Sequence, residues 1–270
     1  MSTVTVTATV ENSTGPLDVP RVRLNVTDTG TSPALFATTV TRLDPDGRVV
    51  PVRTNDGNPL VLTTSGTTRV GLLYDYEAPY MAPVTYSTME TPTSSSAAVT
   101  VAESKIWLVH PGVPELSMPV ELAKGSLAEE EWGVQQGVFY PMGREHPVVQ
   151  TDGARKASQS SLTVSLSSLT DLARIKALVS DAGVLLLNVP ASLGMGIDTD
   201  YIAVGAIRNV RPSDIGSAPQ RDIVMPFIVV DRPAGGSQSE RTYVDLLAQF
   251  SSYAALRNAY PSYTALLAGP

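Results

Sequence analysis

Between Ser161 and Pro233 the hydrophobic period changes twice, and no other stretch restricts the fold as tightly. Leu162, Val164 and Leu166 alternate with Thr163, Ser165 and Ser167, the period-two pattern of a half-buried strand. From Ser168 onward Leu172, Ile175, Leu178 and Val179 fall three and four apart, which predicts an amphipathic helix over about 169–182 with one stripe on a sheet. Ser168 and Asp171 resemble a capping box with Asp in place of the usual Glu or Gln, and Gly183 stands where a left-handed C-cap belongs. Apolar strands are expected at 184–189, 201–210 and 222–230. One helix set between strands of a mostly antiparallel sheet predicts a closed or nearly closed barrel with the helix on its flank.

Upstream, Val4, Val6, Ala8 and Val10 alternate with threonines, and Val22, Leu24 and Val26 alternate with polar residues. Asp44-Pro45-Asp46-Gly47 separates two apolar runs and reads as a hairpin turn, with Asn55-Asp56-Gly57-Asn58-Pro59 marking another. About eight short strands with Gly/Pro turns over 1–104 predict an antiparallel β-sandwich. Residues 105–149 are Pro-rich and read as an extended connecting arm, with an exposed turn at Glu129-Glu130-Glu131. The barrel is assigned to 150–234. A Gly/Ser-rich linker and a helical tail with Tyr243, Leu246, Leu247 and Phe250 at helical spacing complete 235–270.

Charge and composition narrow the function. Hydrophobic residues make up 43% and charged residues 17%, too apolar a balance for disorder. The net charge of −7 arises wholly before residue 141, and no basic patch is legible, which argues against sequence-specific nucleic-acid binding. There are no cysteines, so disulfides and thiolate metal sites are excluded. The first residues lack a basic signal-peptide start and no apolar run is long enough to span a bilayer, so a soluble protein assembled in the cytoplasm is expected, without membrane insertion.

Catalytic patterns are missing. His110 and His146 each precede a proline, and neither belongs to a metal-ligand spacing. The two Asp/Asn/Gly turns lack the rest of a calcium loop, and Gly194-Met195-Gly196 is followed by no helix. No Gly-x-Ser-x-Gly elbow occurs. The expectation is a non-enzyme with no catalytic, cofactor-binding or metal residues and no cofactor.

Tyr74-Asp75-Tyr76-Glu77-Ala78-Pro79, followed by Pro83-Val84-Thr85-Tyr86-Ser87, resembles the corner between the fifth and sixth strands of fibronectin type III-like domains, with Tyr86 as the corner tyrosine. Tyr76, Tyr80 and Tyr86 are core and corner residues on the favoured reading, and a glycan contact on the alternative one. Those stretches, with Trp107-Leu108-Val109-His110-Pro111-Gly112, Pro147 to Gly153, Pro226 to Pro233 and the segments at Tyr243 and Tyr263, are together similar to minor tail proteins of long-tailed actinobacteriophages. The resemblance is specifically to the distal-tail or tail-tip ring proteins.

The resemblance implies a tail-tube-like β-barrel whose copies form a six-fold ring at the virion's tail tip, around the channel through which DNA leaves. Partners would be the chain itself, the tail tube, other tail-tip proteins, and the tape-measure protein or DNA in the lumen without sequence-specific contacts. The sandwich would face neighbouring proteins or host cell-wall glycans. The alternative function is a carbohydrate- or receptor-binding module for host adsorption. Residues expected at an assembly interface are Arg174, Lys176, Arg211, Tyr243 and Phe250.

Overall fold

In the computed structural model, which describes residues 3–12, 18–29, 36–54, 57–65, 67–89, 93–195, 199–213 and 218–235, the chain is mainly β with one α-helix. The alternating Thr/Val segment is strand β1 (Thr3–Glu11), paired antiparallel with β2 (Arg21–Thr29). Val4, Val6, Val22, Leu24 and Val26 are buried, while Thr3, Thr5 and Thr7 are exposed, so the period-two pattern marks the inward face.

The short strands β3 (Ala37–Thr38), β4 (Val40–Leu43), β5 (Val49–Pro51), β6 (Leu60–Val61) and β7 (Thr63–Ser65) follow. Then come β8 (Thr68–Asp75), β9 (Pro83–Thr88) and β10 (Val99–Thr100). They make two four-stranded sheets, β1-β2-β8-β7 and β10-β9-β4-β5, with β3 paired to β6. Val40, Val84, Tyr86 and Val101 share one core with the β1–β2 residues. The predicted Asp44 to Gly47 turn joins β4 to β5: Gly47 takes φ 86° and its N–H donates to Asp44 O at 3.0 Å.

The second unit consists of β11 (Ile106–Val109), β12 (Met118–Leu122), β13 (Glu130–Phe139) and β14 (Val148–Leu166), then α1 (Leu169–Asp181), β15 (Leu185–Asn188), β16 (Asp200–Val204), β17 (Arg208–Val210) and β18 (Arg221–Val230). Six of these strands close a barrel in the order β14-β12-β11-β15-β16-β18, with β18 bonded back to β14. Leu108, Leu162, Val164, Leu185, Ile202 and Met225 fill it, and Ile175 and Leu178 of α1 pack into the same core.

The helix begins as predicted. Ser168 Oγ accepts the Asp171 N–H at 3.1 Å, and its hydroxyl donates to Asp171 Oδ2 at 2.6 Å. Its end differs from the expectation at Gly183. The cap is Ala182, in extended conformation, with its N–H bonded to Leu178 O at 3.0 Å. The strand expected over 201–210 divides into β16 and β17, whose pairing with β18 slips by one residue between Val204↔Phe227 and Arg208↔Val224; Pro226, which has no N–H to give, lies in that interval and accepts the Gly205 N–H at 2.7 Å.

The largest difference concerns residues 105–149. They are not an extended arm: β11 and β12 are barrel strands, and Glu130 and Glu131, expected in a turn, begin β13. All four residues of β11 and all four of β15 are buried, so neither strand shows the alternation that announces a one-faced strand. The reason is visible in the two cores. Ile106, Leu108, Leu185 and Leu187 face the barrel interior, whereas Trp107, Val109 and Leu186 belong to the N-terminal core. One wall serves both units. Of the predicted linker and helical tail, everything from residue 236 onward lies outside the described residues.

A barrel fragment beginning at Ser104 would expose Trp107, Val109 and Leu186 to water. Such a fragment is expected to show no cooperative thermal transition by circular dichroism, in contrast to the full chain.

Candidate functional site

The stretch Tyr74 to Tyr86 forms a charged seam rather than a sugar platform. Tyr80 and Tyr86 are fully buried and Tyr76 nearly so, which removes the glycan contact expected of them on the alternative reading. Their rings belong to the N-terminal core, where a large aromatic body contributes most. The Tyr86 hydroxyl donates to Asp75 Oδ2 at 3.0 Å, and the Tyr76 hydroxyl accepts from Arg21 Nη1 at 2.7 Å. Burial, reinforced by Asp75, pushes the Tyr86 phenol well above its ordinary range, so it stays a donor.

Asp75 also accepts from Arg42 Nη1 at 2.9 Å and from the Glu77 N–H at 2.9 Å, while Arg42 Nε bonds Asp44 at 2.6 Å. Desolvation works against the Arg42 charge, yet Asp75 and Asp44 hold its pKa well above the usual value. Two residues on, the Glu77 carboxylate is clamped from both sides. Arg53 Nε donates to Oε1 at 3.0 Å, and Arg232 donates to Oε2 through both Nε and Nη2.

The two arginines also strap the units together. Arg53 donates to the carbonyls of Pro233 (2.8 Å) and Gly235 (2.6 Å), and Arg232 donates to Pro51 O at 2.6 Å and the Tyr201 hydroxyl at 3.1 Å. Beside them, Asn188 on β15 donates to Ala78 O at 2.9 Å and accepts the Tyr80 N–H at 3.3 Å. Each buried charge here is paired and hydrogen-bonded, the condition under which such groups are tolerated. Both carboxylates are neutralised by guanidinium groups, and the far side of Arg53 and Arg232 borders an open pocket of about 330 Å³ that Pro51, Val52, Leu60 and Gly235 also line. It is a structural joint. Among the described residues no three His, Asp or Glu side chains converge to hold a metal ion.

His110 fixes the loop after β11. Its Nδ1 accepts the N–H groups of Gly112 (3.0 Å) and Val113 (2.9 Å), and its own N–H donates to Ser117 Oγ at 2.8 Å. The Nε2 lies 3.1 Å from Asp181 Oδ2 but out of hydrogen-bond alignment. Burial pulls the imidazole below its ordinary value, with Asp181 offsetting only part of this. A proton on Nδ1 would also displace two backbone donors, so the neutral ring is the one the fold uses.

A third feature stands apart from both. The β13–β14 hairpin outgrows the barrel: β14 leaves β18 beyond Gln159, so, among the described residues, 148–158 pair only with β13. At about 3.4 Å per residue this ribbon reaches roughly 30 Å. Its apolar side chains are in water, with Trp132 52%, Phe139 55%, Tyr140 80% and Met142 101% exposed. Two bulges, between Trp132 and Gln136, twist its outer strand.

Of the residues expected at an interface, Arg174 is half-buried and Lys176 exposed on α1, and Arg211 is exposed just past β17. They lie on separate elements. Tyr243 and Phe250 lie outside the described residues. Sequence reasoning missed the ribbon. Its signal was there in the even spacing of Trp132, Val134 and Val138, but the preceding Glu triplet suggested a turn. Comparison of the chain with family models and with curated proteins gave no match.

Removing the carboxylate in Glu77→Ala leaves the buried Arg53 guanidinium and the partly buried Arg232 guanidinium facing each other. Stability is expected to fall by about 3–5 kcal/mol in urea unfolding. For His110 the folded pKa lies below the unfolded one, so its contribution is complete above about pH 6.5 and is lost as the pH falls toward the lowered folded value. The urea midpoint is expected to drop between pH 7.5 and 5.5, and this drop should shrink in His110→Asn, whose side-chain carbonyl can still accept the loop N–H groups.

Proposed function

We propose that the chain is a structural assembly subunit, a distal-tail or minor-tail ring protein at the tip of a long-tailed phage. In this reading the closed barrel is the tail-tube-like domain and borders the DNA-exit channel. The two-sheet unit, fibronectin III-like, faces neighbouring tail-tip proteins, and the ring connects the tail tube to them. Copies of the chain are its first partner.

The observation that carries this reading is the ribbon. A two-stranded hairpin alone is marginally stable in water, its unpaired edges invite pairing, and a continuous exposed apolar surface marks a contact site. The β13–β14 ribbon is such a hairpin, with exposed apolar side chains, on an otherwise closed barrel. The paired and desolvated charges of the seam support a scaffold, since they hold two units in one orientation. The receptor-binding alternative rested on tyrosines that lie in the core.

Light scattering after size-exclusion chromatography should show the full chain assembling into a defined oligomer as concentration rises. Replacing residues 132–157 with a short turn should yield a monomer whose thermal transition is preserved. A wild-type chain that stays monomeric at every concentration would overturn the reading.

A further inference from the structure

We propose that neighbouring copies join head to tail, the acidic β13 edge of one seating on the basic β17 edge of the next; this rests on the self-assembly reading above. Closing the barrel leaves β13 and β17 at the two ends of the strand order, flanking the paired β14 and β18. Among the described residues β13 pairs on one side only, with β14, and β17 on one side only, with β18.

The two edges differ in charge. Glu129, Glu130 and Glu131 are exposed where β13 begins. Arg208 on β17 and Arg211 just beyond it are exposed, and neither forms an ion pair with another described residue. Apolar side chains accompany both sets. Trp132 and Val134 lie beside the acids, and Ile207 and Val210, each nearly half exposed, lie beside the arginines.

The lengths agree as well. Ahead of the bulges, β13 keeps regular pairing from Glu130 to Trp132, and β17 is three residues long. Open backbone N–H and C=O groups on each edge can therefore continue the sheet across the contact. Charge then selects the pairing. A β13–β13 contact would bring two glutamate triplets together, and a β17–β17 contact would oppose four arginines. Only β13 against β17 matches sign, and like-charge juxtaposition costs several kcal/mol. A contact between two different patches is heterologous, so its product is a closed ring or an open filament, not a twofold dimer.

The test uses full-length chains. Glu130→Arg/Glu131→Arg makes both edges basic, and Arg208→Glu/Arg211→Glu makes both acidic. All four residues are exposed, and circular dichroism checks that folding is kept. Each variant alone is expected to self-associate roughly 100-fold more weakly than wild type in sedimentation. An equimolar mixture of the two should co-assemble, because each basic edge then meets an acidic one. The chain carrying all four changes should assemble alone.

Wild-type oligomers with every variant assembling normally would overturn the edge assignment and leave the proposed function standing. Two monomeric variants that fail to co-assemble would overturn the head-to-tail polarity. A monomeric wild type would overturn the edges and the function together.

Discussion

Trp107, Val109 and Leu186 project from the outside of the barrel wall into the core of the N-terminal unit, while Ile106, Leu108, Leu185 and Leu187 face the barrel interior. Two strands thereby complete both cores, and neither unit has a full hydrophobic boundary without them. Burial of a Leu or Trp face contributes a few kcal/mol, which is a sizeable share of the net stability of a domain. The polar joint follows from this packing. Once the wall is shared, the backbone around Ala78 and Tyr80 is out of water and needs partners, and Asn188 supplies them.

The Glu77 clamp extends the same logic to charge. Arg53 comes from the loop after β5 and Arg232 from the segment after β18, and the carboxylate is held between them. Replacing all three with apolar residues of similar volume could be as stable. What the charged version adds is direction, since guanidinium forks fix where Pro51, Pro233 and Gly235 lie. The chain leaving the barrel is thus held against the N-terminal unit.

Barrel closure has a consequence for assembly. It satisfies the edges of six strands internally, and among the described residues of the second unit it leaves open backbone groups at β13, at the projecting part of β14 and at β17. The same region carries the exposed aromatic and Met side chains of the ribbon.

How much of this was legible followed from where burial comes from. The alternation in β1, β2 and the end of β14, the helical stripe of α1, the Ser168 cap and the Asp44 to Gly47 turn were all readable, because each reports one buried face or one local backbone need. A single helix between strands sufficed for a barrel. The runs Ile106–Val109 and Leu185–Asn188 were opaque as to role, since burial on two faces erases the period and says nothing of what covers each side. The tyrosine cluster favoured a core reading, and only the placing of its neighbours showed what buries it. Local periodicity thus determined which residues are strand, turn and helix. Only the tertiary structure decided that one wall serves two cores, that Glu77 meets Arg232 from the far end of the described chain, and that β13 projects. Those outcomes depend on partners distant in sequence, and no local pattern encodes them.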